Sequence, residues 1–424
     1  MTERHYGWSL GGTPPKIHQH SIAKHEVLRA YLTAYLQTLI SSPFQDRFRL
    51  TLVDGFAGGG IYCHETSREE VLGSPFVMLE AAKEAEFLIN RERKKQVRFD
   101  LSYFFVEADN ATAGVLRQEL ARRDYSPLFD QSIFVRNGRF QDYASEIIAY
   151  IRKHSQRAAR AIFLLDQYGY SEVPTDLIRN ILLSLPGAEI ILTFAVDSFL
   201  NFASDLPATK KVLRQIGLPD VLRGRSIDEI KQSDPLWRLY IQSCLYQDLV
   251  DKCGAAYYTP FFIRSSNGHG DYWLIHLSQH PRARDVMTRV HWDKNNHFIH
   301  YGAAGLDMFH MLGYVPQYDT AYTGQSELDF CFDDPARKKS VDTLKNQIPH
   351  LIYPHLDGIS FGKFFAHTCN NSPASAQIYR EAVGALILEK DVHVVNPNGV
   401  IRRSAAQIHD NDQIIPSRQR KLFQ

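Results

Sequence analysis

The chain is poor in cysteine: Cys63, Cys244, Cys253, Cys331 and Cys369 are five among 424 residues. Their number is odd and no two form C-x-x-C, which excludes a disulfide framework and a zinc ribbon and points to reduced thiols. An excess of either charge is also missing. Lys and Arg number 48 against 47 Asp and Glu, so nothing drives the whole surface toward a polyanion, and nucleic-acid contact has to rest on a local basic face. No segment offers the ~18 apolar residues of a membrane span. The start, Met-Thr-Glu-Arg-His-Tyr-Gly-Trp, lacks the apolar core of a signal peptide. A cytoplasmic protein without membrane contact is expected. No H-E-x-x-H occurs, and His291, His297 and His300 have no metal-ligand spacing, so they read as packing or surface histidines and no metal is expected.

What the chain has is apolar material in quantity. With 44% hydrophobic and 12% aromatic residues, it is ample for two or three domains with cores. Apolar residues recur at three- and four-residue spacing from Ser21 to about Ser42, which predicts an amphipathic helix. Strands are expected at Leu50–Asp54, Leu101–Glu107, Ser132–Arg136, Ala161–Leu165 and Glu189–Ala195. Helices follow from Asn110, from about Gln141 and from about Pro174. Continuous apolar strands alternating with helices imply an α/β fold: a mostly parallel, Rossmann-like sheet covered on both faces. Ligands in such sheets sit at the carboxyl ends of strands, where Asp54, Glu107, Asn137, Asp166 and Asp197 all fall.

Residues 205–254 read as a helical insertion. Tyr257–Arg264 and Tyr272–Leu277 read as a closing β-hairpin, with a domain boundary near His300. Residues 301–333 are an irregular connector. In 334–424, helices from about Pro335 and after Ser375 precede a strand, an Asn-Gly turn and a strand over Asp391–Arg403, the pattern of a smaller winged-helix-like domain. Arg402, Arg403, Arg418, Arg420 and Lys421 make its end basic, either as a solvated terminus or as a phosphate contact.

The most informative stretch is Leu50-Thr-Leu-Val-Asp-Gly-Phe-Ala-Gly-Gly-Gly-Ile-Tyr62. A buried strand that stops at a carboxylate and turns on glycines lets backbone approach a nucleotide-like ligand. The glycines do not match the spaced G-x-G-x-x-G fingerprint, and Phe56 inside the turn is unlike a phosphate cradle. They resemble the D-x-F-A-G first motif of class I S-adenosylmethionine methyltransferases. On that resemblance Asp54 fixes the amino-acid end of the cofactor, with Gly55, Phe56, Ala57, Gly58 and Gly60 close to it; otherwise Asp54 ties down its own turn. Glu107 suits the two ribose hydroxyls, which a carboxylate accepts together, and Asn137 stands at the next strand end. Asp166-Gln-Tyr-Gly169 occupies the place of the D-P-P-Y motif of amino-methyltransferases. There Asp166 would accept from a base amine and Tyr168 would stack on the flipped base.

His18-x-x-x-x-x-Lys24-His-x-Val-Leu-x-x-Tyr-Leu32, Val53-Asp-Gly-Phe-Ala-Gly-Gly-Gly-Ile-Tyr62, Gly73-Ser-Pro75, Phe104-Phe-Val-Glu107 and Leu165-Asp-Gln-Tyr-Gly169 together resemble the three-Cys-motif partner protein family (TcmP). The resemblance implies a class I methyltransferase-like domain over about residues 1–300, S-adenosylmethionine as cofactor, and nucleic acid as substrate in DNA modification or anti-phage defence. It also implies a phage-type partner protein bearing three cysteines. Gln167 departs from the family's proline. The rival expectation is a methyltransferase-like fold kept as a silent binding subunit for that partner. His18 and Lys24 belong to the matching segment and are expected to close over the ligand.

Overall fold

The structure, a computed structural model, describes residues 7–155, 158–234, 237–263, 272–294, 298–300, 304–306 and 330–417. The chain divides into two compact units, residues 1–237 with 244–290, and residues 238–243 with 291–424.

In the first unit, β1 (Lys16–Ile17) leads into α1 (Gln19–Leu39), which buries Val27, Leu28, Tyr31, Leu32, Tyr35 and Leu36 along one stripe. Then come β2 (Arg47–Asp54), β3 (Ile61–His64), β4 (Glu70–Leu72), α2 (Ser74–Arg91), β5 (Arg98–Glu107), α3 (Asn110–Arg122), β6 (Ile133–Asn137), α4 (Phe140–His154), β7 (Ala161–Leu165), α5 (Thr175–Ser184) and β8 (Ala188–Phe194). Four helices, α6 (Val196–Phe202), α7 (Pro207–Gln215), α8 (Ile227–Ser233) and α9 (Trp237–Cys253), precede the hairpin β9 (Tyr257–Ile263) and β10 (Tyr272–Ser278), and α10 (Pro281–Asp293) follows. The unit's seven main strands run in the order β6-β5-β2-β7-β8-β10-β9. β2, β5, β6, β7 and β8 are mutually parallel, and β10 is antiparallel to both its neighbours. This order, with β10 the one reversed strand of the seven, is a mostly parallel, Rossmann-like sheet.

Every residue of β7 and β8 is buried, as a sheet covered on both faces requires. Two differences from the sequence reading are local. The cap of α3 is Asp109, whose carboxylate accepts from the Thr112 amide at 3.0 Å, because Asn110 already has helical backbone. And the glycine turn opens into a three-stranded sheet, β1-β3-β4, before α2 begins at the Gly73-Ser-Pro turn, a pairing too short to show as periodicity.

The second unit contains a short antiparallel pair, β11 (Phe298–His300) and β12 (Phe330–Cys331). After it come α11 (Asp334–Ile352), β13 (Ile359–Ser360), α12 (Phe361–Thr368), α13 (Ala376–Leu388), β14 (Val392–Val395) and β15 (Gln413–Pro416). Asp333, Ser360 and Ser375 cap the three helices with side-chain oxygens. The antiparallel order β13-β15-β14 completes a winged helix. The strand expected beyond the Asn-Gly turn shrinks to one bridge, Val395 to Ile401. β14 takes β15 as its partner instead, and the Arg402 guanidinium turns to Asp412 at 2.8 Å. Arg402 is therefore held internally, and Arg418, Arg420 and Lys421 lie outside the described residues, as does His297.

One buried polar cluster ties α1 to the sheet. The Tyr31 hydroxyl donates to Glu189 at the start of β8, and His276 Nε2 on β10 lies 3.0 Å from both oxygens. Tyr31→Phe leaves the carboxylate short of a donor where the residue is only 7% exposed. We expect a loss of about 1–3 kcal/mol in urea unfolding; an unchanged midpoint would mean that the hydroxyl contributes nothing net.

Candidate functional site

The chain runs from β2 outward through β5 to β6, then returns to the other side of β2 as β7. Strand order therefore reverses between β2 and β7, and a crevice opens at their carboxyl ends, where open α/β sheets bind ligands. The turn after β2 bridges it. Gly55 donates its amide to Leu164 O of β7 at 2.9 Å, and Ala57 donates to Val106 O of β5 at 3.0 Å. Gly58 and Gly60 have φ of +59° and +80°, values that side chains disfavour, so the backbone itself requires glycine at both.

Asp54 ends β2 at the floor of the crevice and has no exposed surface. Its Oδ1 accepts from the Phe56 amide at 3.1 Å, while Oδ2 is buried without a hydrogen-bond partner among the described residues. Burial pushes its carboxyl up to about 7, with Asp166 and Glu107 adding like-charge repulsion and the Ser74 hydroxyl and Phe56 amide opposing. A carboxylate whose burial outweighs its hydrogen bonds takes a proton. A cationic ligand group against Oδ2 would reverse that.

Glu107 ends β5 two residues beyond the level of Asp54, since Asp54 stands opposite Phe105. Its Oε2 accepts from the Gly58 amide at 3.1 Å and Oε1 from the Asp109 amide at 2.8 Å. Both amides fix the carboxylate at the rim. Asn137 pairs with Glu107 in the β5/β6 register. Its side-chain amide is spent on the carbonyls of Glu107 and Ala108 at 3.0 and 3.2 Å, so it shapes the rim of the crevice.

Asp166 follows β7 on the other side of the crevice. Lys24 Nζ, from the second turn of α1, meets both its oxygens at 2.6 Å. Burial opposes ionisation of Asp166, but Lys24 outweighs it and holds the carboxyl below the usual range. The adjacent His25 is pushed down to about 4, by burial first and by Lys24 second. Gln167 is buried and serves the loop: Nε2 donates to Thr193 O at 3.1 Å, and Oε1 accepts from the amides of Glu172 and Val173. Three hydrogen bonds thus hold Gln167 in the loop after β7. Tyr168 is 58% exposed, and Tyr170 packs against Phe194 and Phe199 instead.

The structure thus brings Asp54, Glu107, Asp166 and the glycine turn to one crevice, and Lys24, expected to close over the ligand, is there as the partner of Asp166. Asp197, expected at the same edge, lies in the first turn of α6 beside Asn201. His25 stood inside the quoted segment Lys24-His-x-Val-Leu without a role assigned to it. Among the described residues no three His, Cys, Asp or Glu side chains converge as a metal site needs.

In the second unit, α13 holds the position of the helix that enters the major groove in winged helices. Its single cation, Arg380, is engaged with Asp410 and Ile408 O. Residues 396–412, the long wing, lie back on it: a Cβ at Gly384 would stand 2.8 Å from Ala405 Cβ. Lys363 and His367 on α12 and Arg403 in the wing are exposed.

Comparison with known proteins gives a family match for the second unit. Residues 316–399 match the family model described as a GMT-like wHTH domain; the first fourteen of these lie outside the described residues. No curated protein matches the chain in sequence. Similar solved structures include a protein from Legionella pneumophila, 10% identical, with a TM-score of 0.35 over 63% of this chain and 90% of that one. A SAM-dependent methyltransferase from Agrobacterium tumefaciens is 10% identical, with a TM-score of 0.29 over 62% and 63%. Trm1 from Pyrococcus horikoshii, solved in complex with S-adenosyl-L-methionine, is 10% identical, with a TM-score of 0.30 over 78% and 72%.

The folded state holds the Asp54 proton more tightly than the unfolded chain does. Its stabilising contribution is therefore full below about pH 3.9 and is lost as pH rises through about 7. Asp54→Asn removes this dependence. Between those limits the wild type should lose on the order of 3–4 kcal/mol relative to the variant, read from urea melts at stepped pH. Parallel profiles would show that Asp54 ionises as an ordinary carboxylate.

Proposed function

We propose that the protein is an S-adenosylmethionine-dependent methyltransferase acting on nucleic acid, with its catalytic domain over about residues 1–300 and a winged-helix module over 334–424. The observation that carries the reading is Asp54, a buried carboxylate at the strand-order reversal with an orphaned oxygen. The cofactor's cationic amino group fits that oxygen, its ribose diol fits Glu107, and a nicotinamide dinucleotide would offer no ammonium group to donate there. Gly55, Phe56, Ala57, Gly58 and Gly60 would line the approach.

When bound, the cofactor supplies a methyl group already activated by its sulfonium, so this chain's task is orientation and exclusion of water. Asp54 and Glu107 hold the two ends of the ligand. Asp166 is the hydrogen-bond acceptor for a base amine and Tyr168 the exposed ring on which the base stacks; the amine has to share Asp166 with Lys24. The GMT-like wHTH match supports a nucleic-acid substrate. With α13 covered by the wing, contact by this module runs to phosphates through groups such as Lys363 and Arg403, which position without reading sequence. The resemblance to the three-Cys-motif partner family extends the reading to DNA modification in anti-phage defence beside a cysteine-rich partner protein.

One observation favours a second reading. Lys24 occupies both oxygens of Asp166, and if that pair never opens, the domain binds its ligand without transferring a group and serves as a binding subunit.

Calorimetry with S-adenosylmethionine at pH 6.5, in buffers of different ionisation enthalpy, tests the site. Binding should release a proton from Asp54, and Asp54→Asn should abolish the release. Glu107→Ala should weaken binding by about 1.5–3 kcal/mol. No binding by the folded wild type would end the cofactor reading. If the protein binds duplex DNA, Gln377→Ala on α13 should leave its sequence preference unchanged in a randomised-duplex selection; an altered preference would show that α13 reads bases. Methyl transfer to DNA or RNA that disappears in Asp166→Ala, with cofactor affinity kept within about 1 kcal/mol, separates the enzyme from the binding subunit.

A further inference from the structure

Trp8 precedes every regular element, yet its indole lies on the glycine turn. A Cβ at Gly59 would stand 2.3 Å from Trp8 Cδ1 and 2.5 Å from Cγ, and one at Gly58 would stand 3.0 Å from Cη2. The indole Nε1–H donates to Ile61 O at 2.8 Å, just past the turn, and the ring meets Tyr62 edge-on at 5.2 Å. The segment that carries it is stitched down behind: the Cys63 amide donates to Pro15 O at 2.9 Å, and β1 pairs in parallel with β3. Gly58 is therefore gripped twice, by Glu107 on its amide and by the indole on the side where a Cβ would project. Gly59 differs from its two neighbours. Its backbone is not left-handed, so the demand for glycine there comes from the tryptophan.

We propose that Trp8 is a positioning residue for the ligand site, bracing the glycine turn in the shape that presents Gly58 and Glu107 to the cofactor. The proposal rests on the reading of the crevice as an S-adenosylmethionine site. A run of Gly, Phe, Ala and three more Gly has few side chains to hold it, and each of its glycines loses more conformational freedom on ordering than any other residue. A turn that is loose before binding has to be ordered by the ligand, at the expense of affinity. An indole packed on the turn orders it beforehand.

The test is a cycle of Trp8→Ala, Gly59→Ala and the double variant in the full chain, with Trp8→Phe as the conservative control. S-adenosylmethionine affinity is read by calorimetry, and hydrogen exchange is read over residues 55–62. Trp8→Ala should weaken binding at least about ten-fold and speed exchange in the turn, while Trp8→Phe stays within about three-fold. Gly59→Ala drives its methyl into the indole and should cost as much as Trp8→Ala. The double variant should be no worse than either single, because the three atoms nearest the added methyl all belong to the indole and are then gone. Additive losses would overturn the proposal and give Gly59 to the ligand directly; so would unchanged affinity in Trp8→Ala. Silence of the wild type toward the cofactor overturns the reading of the site alone, since faster exchange over 55–62 in Trp8→Ala would still establish the brace and unchanged exchange would refute it.

Discussion

Lys24 meeting both oxygens of Asp166 is the interaction on which the rest of the crevice depends. Reversal of strand order at β2 and β7 brings two carboxylates, Asp54 and Asp166, to neighbouring strand ends in a poorly hydrated place, where both cannot stay charged without a cation. The one lysine that α1 delivers goes to Asp166. Asp54 is left with a backbone amide on Oδ1 and no hydrogen-bond partner on Oδ2 among the described residues, and burial raises its proton affinity against the pull of the Ser74 hydroxyl and the Phe56 amide. His25, one residue along the same helix, stays neutral because the lysine and burial both disfavour its charge. One ion pair thereby divides two similar aspartates into an occupied group and a vacant acceptor.

The same division explains how far α1 matters to the site. Its buried stripe and the Tyr31–Glu189–His276 cluster seat it on the sheet, and that seating fixes where Lys24 reaches. Opposite it, the turn after β2 is spanned by main-chain bonds to β5 and β7 and closed by Glu107 on one side and the Trp8 indole on the other. Helix, turn and leading segment come from different parts of the first sixty residues. The leading segment supplies what the glycines cannot, which is side-chain mass to hold a backbone in place.

The second unit shows how a recognisable module can be altered without losing its topology. Three capped helices and a three-stranded antiparallel sheet make the winged helix. Its wing, however, is long enough to fold back, with Ala405 over Gly384 and Asp410 on Arg380. The surface used elsewhere for base readout is spent on internal packing.

Much of this was legible in the sequence. Strand ends at Asp54, Glu107 and Leu165 follow from apolar runs that stop at polar residues, because a strand buried on both faces has no other place for a carboxylate. The alternation of strands with helices determined the sheet's class, and the winged helix was visible in two of its helices and in the strand that leads into its Asn-Gly turn. Tertiary structure alone decided the rest. That Lys24 would neutralise Asp166 across 142 residues, that Gln167 would bond to Thr193 O, that Trp8 would require glycine at 59 and that the wing would cover α13 are all contacts between segments distant in sequence. Periodicity reports which face of an element is buried, not which residue from elsewhere arrives to bury it.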